Sequence, residues 1–194
     1  MVSPSNAQAV ALIEQWQRWP QNRMALVGPE RAGKTHLAQV WCRISGAGPA
    51  RAEGPPAPVL VEDADRVAGH RDGEERLFHL INRQAAHGAP LLITARTRPG
   101  TWPVELPDLA SRLATFAIAE IDVPDDVLLS SVLVKLFTDR QLKVSGEVIR
   151  YIALRIERSC AAAEDLVSLL DQASLEQKRE ITKRFVGEVT GWTA

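Results

Sequence analysis

The chain has 194 residues, a formal net charge of −1, 45 % hydrophobic and 24 % charged residues, proportions that provide ample core for a globular protein. The near-zero charge argues against a dedicated nucleic-acid surface. No apolar run approaches the roughly eighteen residues of a membrane span, and no secretory core opens the chain.

The first candidate element is a short amphipathic helix after Ser3-Pro4-Ser5-Asn6, with Ala7, Val10, Ala11, Leu12 and Ile13 continuing to Trp16 and Trp19. The tryptophan pair reads as packing, with a contact to a nucleotide base as the alternative. Met24 to Val27 is a buried strand, and Gly28 to Thr35, GPERAGKT, follows it directly. That octet satisfies G-x-x-x-x-G-K-[ST], a phosphate-binding loop, and the confirming setting is strand, loop, helix. The glycines let the backbone curl so that successive N–H groups point inward at a phosphate. Lys34 is of a length to reach the β and γ oxygens, and the Thr35 hydroxyl is a Mg²⁺ ligand. Gly28, Pro29, Glu30, Arg31, Ala32, Gly33, Lys34 and Thr35, with His36 opening the helix behind them, are therefore the candidate binding residues for ADP or ATP. The positive end of that helix, His36 to Ile44, adds to the attraction for phosphate.

Ser45 to Pro58 is rich in Pro, Gly and Ala and reads as a loop. Val59-Leu60-Val61 then runs into Glu62-Asp63, the form of a Walker B strand whose terminal acids reach the metal and the attacking water. Glu62 is read as the metal-side acid beside Thr35, and Asp63 as the water-polarising one. Asp72 to His87 is a cover helix, with Leu77, Leu80, Ile81 and Gln84 inward and Glu74, Glu75, Arg76 and Arg83 on a solvated face. Leu91 to Ile93 is a third buried strand. It ends at Thr94, which is either a sensor of the γ-phosphate or an ordinary strand-end threonine.

Gly100 to Pro107 is a turn in which Trp102 reads equally as core or as an exposed contact. Asp108 to Leu113 is a short helix carrying Arg112, and Thr115 to Ile121 is the last strand. Strands alternating with helices predict a parallel α/β sheet with its ligand at the strands' C-terminal ends. From Pro124 four helices follow, starting at Asp125, Ser145, Cys160 and Thr182. The domains predicted are thus an α/β core over 1–122 and a helical lid over 123–194. Cys42 and Cys160 have no metal-type spacing and read as half-buried thiols of a reducing compartment, which points to the cytoplasm.

This order of parts, with VLVEDADR, LLITARTRP, PDLASRL and QASLEQKREITKRFV, resembles the AAA+ module of the DnaA family, and more closely its Hda branch of regulatory homologues. The resemblance implies a nucleotide-binding regulator that meets the ATP-loaded initiator DnaA, usually on the DNA-loaded sliding clamp, and promotes hydrolysis of the initiator's ATP. It makes Arg112, in the SRL that matches the family's box VII, an arginine finger. Read without the family, the same residue is a surface arginine paired with a neighbouring acid. The sensor 2 arginine of the family falls on Ala161; Arg158, the nearest basic residue, is the candidate to replace it at the nucleotide, and if it does not, the chain's own turnover is expected to be weak. The family's C-terminal DNA-binding domain has no counterpart after the lid, and no direct DNA binding is expected. Hda proteins also carry a Gln-Leu-x-Leu clamp peptide that Met1-Val2-Ser3-Pro4 does not supply, which leaves clamp docking open. Another strand stands in the initiator where Ser45 to Pro58 lies. Two further readings remain, an autonomous ATPase of helicase-loader type and a non-catalytic adaptor, and the sequence leaves monomer or homodimer open.

Overall fold

A computed structural model describes residues 2–48 and 57–192. By its internal packing the chain divides into two compact units, one over Asn6–Asp122 and one over Val123 onward together with the segment up to Ser5.

In the first unit four strands, β1 (Arg23–Val27), β2 (Val59–Val61), β3 (Leu91–Ala95) and β4 (Ala117–Glu120), form one sheet in the order β2-β3-β1-β4. All pairings are parallel. β1 and β3 are buried at every position, as expected for central strands covered on both faces. Side-chain alternation sorts the core. Met24 and Leu26 pack with Ala9 and Ile13 of α1 (Ala7–Glu14) and with Leu37, Ala38 and Trp41 of α2 (Lys34–Ser45). Ala25 and Val27 pack on the other face with Leu77 and Ile81 of α3 (Arg71–His87) and with Leu109 and Leu113 of α4 (Pro107–Leu113). The α/β parallel sheet is as the sequence predicts.

Three local expectations are corrected. The first helix does not run on to its tryptophans: α1 ends at Glu14, Trp16–Arg18 is a separate 3₁₀ turn, and Trp19 is extended, as the residue before a proline prefers. Trp19 is buried and stacks on Trp41 with ring centres 5.4 Å apart, while its Nε1 donates to the Leu12 carbonyl at 2.7 Å. Packing is thus its role. The last strand begins later than Thr115, because the Thr115 and Phe116 N–H groups donate to Arg112 and Leu113 and close the end of α4. Glu74 is not on a solvated face but fully buried. Trp102, undecided from sequence, belongs to the core, with Nε1 donating to the Thr97 carbonyl at 3.1 Å. Of the loop read over Ser45 to Pro58, residues 49–56 lie outside the described residues. Gly48 makes an isolated parallel bridge to Val59.

The second unit is helical: α5 (Asp126–Asp139), α6 (Gly146–Ala153), α7 (Cys160–Gln177) and α8 (Lys183–Thr190). Each is capped by a side chain that accepts a first-turn N–H: Asp125 from Leu128, Ser145 from Val148, Ser159 from Ala162 and Thr182 from Phe185. Leu129, Leu133 and Phe137 of α5 meet Ile149 and Ile152 of α6, Val167 and Leu170 of α7 and Phe185 of α8 in one core. The other Asp125 oxygen takes the Ser5 N–H at 3.3 Å, holding the first residues to this unit. Among the described residues no helix is long and apolar enough to cross a membrane.

Candidate functional site

β1 delivers the chain to Gly28, and the loop that follows turns back into α2. Gly28 is packed so closely that a Cβ would stand 2.3 Å from the Ile121 carbonyl oxygen, so only glycine lets β4's exit pass. Gly33 has φ 102°, a left-handed value that glycine adopts freely, and caps α2 with no side chain. The first N–H groups of α2 are therefore not covered by a capping side chain, the arrangement that receives anions.

Lys34 is buried. Its Nζ donates to the Gly28 and Pro29 carbonyls, both at 2.7 Å, so the ammonium rests on the loop's own backbone. Burial pushes its pKa down, while Asp63, Asp65 and Glu30 push it up and Arg96 down. Those four side chains are the charged surroundings of the loop. Thr35 and His36 are exposed at the start of α2, and Pro29, Glu30 and Arg31 at the loop surface, while Ala32 is buried.

Asp63 follows β2 in a left-handed conformation, φ 48°. Its N–H donates to Thr94 Oγ1 at 2.9 Å, and its carboxylate pairs with Arg66 at 3.0 Å. Thr94 is itself buried in β3, so the tips of β2 and β3 are held together by the two residues the sequence singled out. Glu62 is exposed on the α2 face of β2, where its charge, with burial as the larger cause, pushes the Cys42 thiol up. The structure therefore brings Asp63 and Thr94 to the lysine's side of the sheet end.

Asp65 was missed in the sequence. It sits in the 3₁₀ turn Ala64–Val67, Oδ2 accepts the Arg96 N–H at 3.4 Å, and Oδ1 is enclosed without a donor among the described residues. Its signal was there, two residues past Asp63 in VLVEDADR, but a turn aspartate has many roles. Among the described residues no cluster of three or more His, Cys, Asp or Glu forms a metal cage. The free Asp65 oxygen and the uncapped start of α2 fit a nucleotide with its cation.

Arg112 lies elsewhere. It lies in the last turn of α4, which leads into β4 at the level of Met24 and Ala117, the N-terminal end of the sheet. The phosphate loop leaves the opposite end of β1, about 13 Å of strand away. Arg112 is exposed and pairs with no acid among the described residues. Arg158, in the helical unit, pairs with Asp126 at 2.8 Å.

With this geometry in place, residues 130–189 match the family model described as "Hda, lid domain". Over those residues the chain is similar to the Hda lid, and its fold is that of the DnaA AAA+ module. Its fold superposes on domain III of the replication initiation protein DnaA of Thermotoga maritima with TM-score 0.84, at 16 % identity over 98 % of this chain and 92 % of that one. An AMPPCP-bound DnaA of Aquifex aeolicus gives TM-score 0.73, at 16 % identity over 92 % of this chain and 67 % of that one. An uncharacterised protein of Haemophilus influenzae is 33 % identical over 132 residues, 68 % of this chain. The chain spans 57 % of the length of that relative.

Proposed function

We propose that this chain is a nucleotide-binding regulator of replication initiation that stimulates hydrolysis of ATP held by a DnaA-type initiator, supplying Arg112 in trans. The observation that carries the reading is the placement of Arg112: exposed, unpaired among the described residues, and at the end of the sheet opposite the chain's own Gly28–Thr35. An arginine there is out of reach of its own phosphate loop and available to another protein's. The Hda-type lid and the DnaA-like core support DnaA as that protein. A finger of this kind contributes about 10³ to 10⁵ in rate by offsetting charge on the transferring phosphoryl group.

In its own site the chain holds ADP or ATP. The loop N–H groups and Lys34 bind the phosphates, Thr35 with Glu62 or Asp63 holds Mg²⁺, and Thr94 fixes the Asp63 turn. Lys34, which donates to the Gly28 and Pro29 carbonyls, would turn those donations to the phosphates of a bound nucleotide. Ala161 offers no cation where the family has its sensor 2 arginine, and Arg158 is engaged by Asp126, so turnover by the chain alone is slow. The sliding clamp is the proposed platform for the encounter.

Single-turnover hydrolysis of ATP prebound to the initiator, with this protein added in its ADP form, tests the reading with and without clamp on DNA. Acceleration that Arg112→Ala removes, with nucleotide binding retained, is the expected result. Unchanged acceleration by Arg112→Ala removes the finger assignment, and none from the wild-type chain removes the regulator.

A further inference from the structure

Alternation along β1 decides where Arg23 goes. Ala25 and Val27 face α3 and α4, so Arg23, two residues before Ala25, faces the same layer and lies under the end of α4. It is only 5 % exposed, and its guanidinium carbon stands 5.6 Å from the centre of the Phe116 ring. Nε and Nη1 are enclosed and donate to nothing among the described residues. A guanidinium does not release its proton to escape burial, so this is a permanent cation without a carboxylate. Such an arrangement is less stable than an apolar residue of the same shape, and buried orphans of this kind call for an explanation.

The nearest charge deepens the problem. Burial first, and then the field of Arg112, push the Arg23 pKa down. Arg112 lies four residues before Phe116, on the turn that closes α4. Two cations therefore share the N-terminal end of the sheet, one buried and one exposed, and neither has an acid partner among the described residues.

We infer that Arg23 is a positioning residue for Arg112: its fixed charge beneath α4 keeps the Arg112 guanidinium turned outward, ready for an anion presented by a second protein. On the functional reading above, on which this inference rests, that anion is the polyphosphate of the partner's nucleotide. The repulsion disfavours conformers in which Arg112 folds back over the sheet end and Phe116. An incoming phosphate also meets two positive charges, one of them embedded in protein where counter-ions screen it weakly. The partner's anion is then the counter-charge that both arginines lack.

A purely structural role for Arg23, holding Phe116 by its cation–π contact, makes the opposite forecast. Arg23→Met keeps the length and the apolar contact and removes the charge, whereas Arg23→Lys keeps the charge. Each variant is compared with wild type and Arg112→Ala in single-turnover hydrolysis of initiator-bound ATP across a range of regulator concentrations, beside its melting temperature. The expected result is that Arg23→Met melts at or above the wild-type temperature but lowers the saturating rate about tenfold. Its half-saturating concentration rises as well, because the embedded charge also attracts the incoming phosphate, and Arg23→Lys restores most of both. Full stimulation by Arg23→Met overturns the inference while Arg112→Ala remains inactive. So does a loss that tracks a lowered melting temperature and is not restored by lysine. If Arg112→Ala stimulates as well as wild type, the functional reading itself has failed, and the role of Arg23 goes with it.

Discussion

The Thr94 hydroxyl accepts the backbone N–H of Asp63 at 2.9 Å, tying the tip of β3 to a residue held at φ 48° just beyond β2. The left-handed turn of a non-glycine residue costs on the order of 1 kcal/mol, and this hydrogen bond is one of the contacts that keep it. Thr94→Val removes the acceptor at nearly constant volume. It is expected to lower stability by about 1 to 2 kcal/mol in denaturant titration. Thr94→Ser should avoid most of that loss, because the oxygen remains. A loss in serine with none in valine would assign the contribution to packing of the methyl group.

Lys34 makes a different forecast, because its two hydrogen bonds go to the loop's own carbonyls. Lys34→Ala is expected to leave the melting temperature of the nucleotide-free protein nearly unchanged, since burial already opposes the charged ammonium. Nucleotide affinity should fall by about 10- to 100-fold, the effect of one or two charge-assisted hydrogen bonds. Calorimetric titration with ADP checks it, and wild-type affinity in the variant would detach Lys34 from the phosphates.

Glu74 governs the acid side of the stability curve. Its Oε1 accepts the Gly69 N–H at 2.9 Å, and its oxygens take the N–H groups of Glu105 and Leu106, the segment that leads into α4. Burial alone would raise its pKa, but these N–H donors outweigh it and hold the carboxyl below its ordinary 4.5. A depressed folded-state pKa means that the unfolded chain takes up the proton first. The stabilisation is complete above the unfolded value and is lost as pH falls through 4.5 and then through the lower folded value. Glu74→Gln is expected to lose about 2 kcal/mol at neutral pH and to show a shallower decline from pH 5 downward. An identical acid limb in variant and wild type would place the linkage in other carboxylates.

Much of this architecture is legible because its causes are local. The apolar runs of β1 and β3, the octet ending in Gly33, Lys34 and Thr35, and the caps at Asp125, Ser145 and Thr182 each act over a few residues of chain. Glu74 was misread because its position on the helix is ambiguous and its partners at Glu105 and Leu106 lie 31 and 32 residues away. Arg23 escaped notice for a related reason. A charged residue at the start of a strand looks like the end of a turn, and only the register between Met24 and Ala117 puts it beneath Phe116. Asp65 is intermediate: its sequence neighbourhood flags it, but its unpaired oxygen depends on where the tip of β3 comes to rest.

The opposed ends of β1 bear on how copies or relatives of this core assemble. A two-fold dimer sets one patch against the same patch of its mate. Because residue i then meets residue j while j meets i, it seats each copy's Arg112 by the other's phosphate loop only when the two cores lie antiparallel, the two features being at opposite ends of the sheet. A single contact of this kind, without its reciprocal, is head to tail. Joining a row of such cores gives this chain a direction, and the pole it presents to one neighbour fixes which pole is left to meet the next.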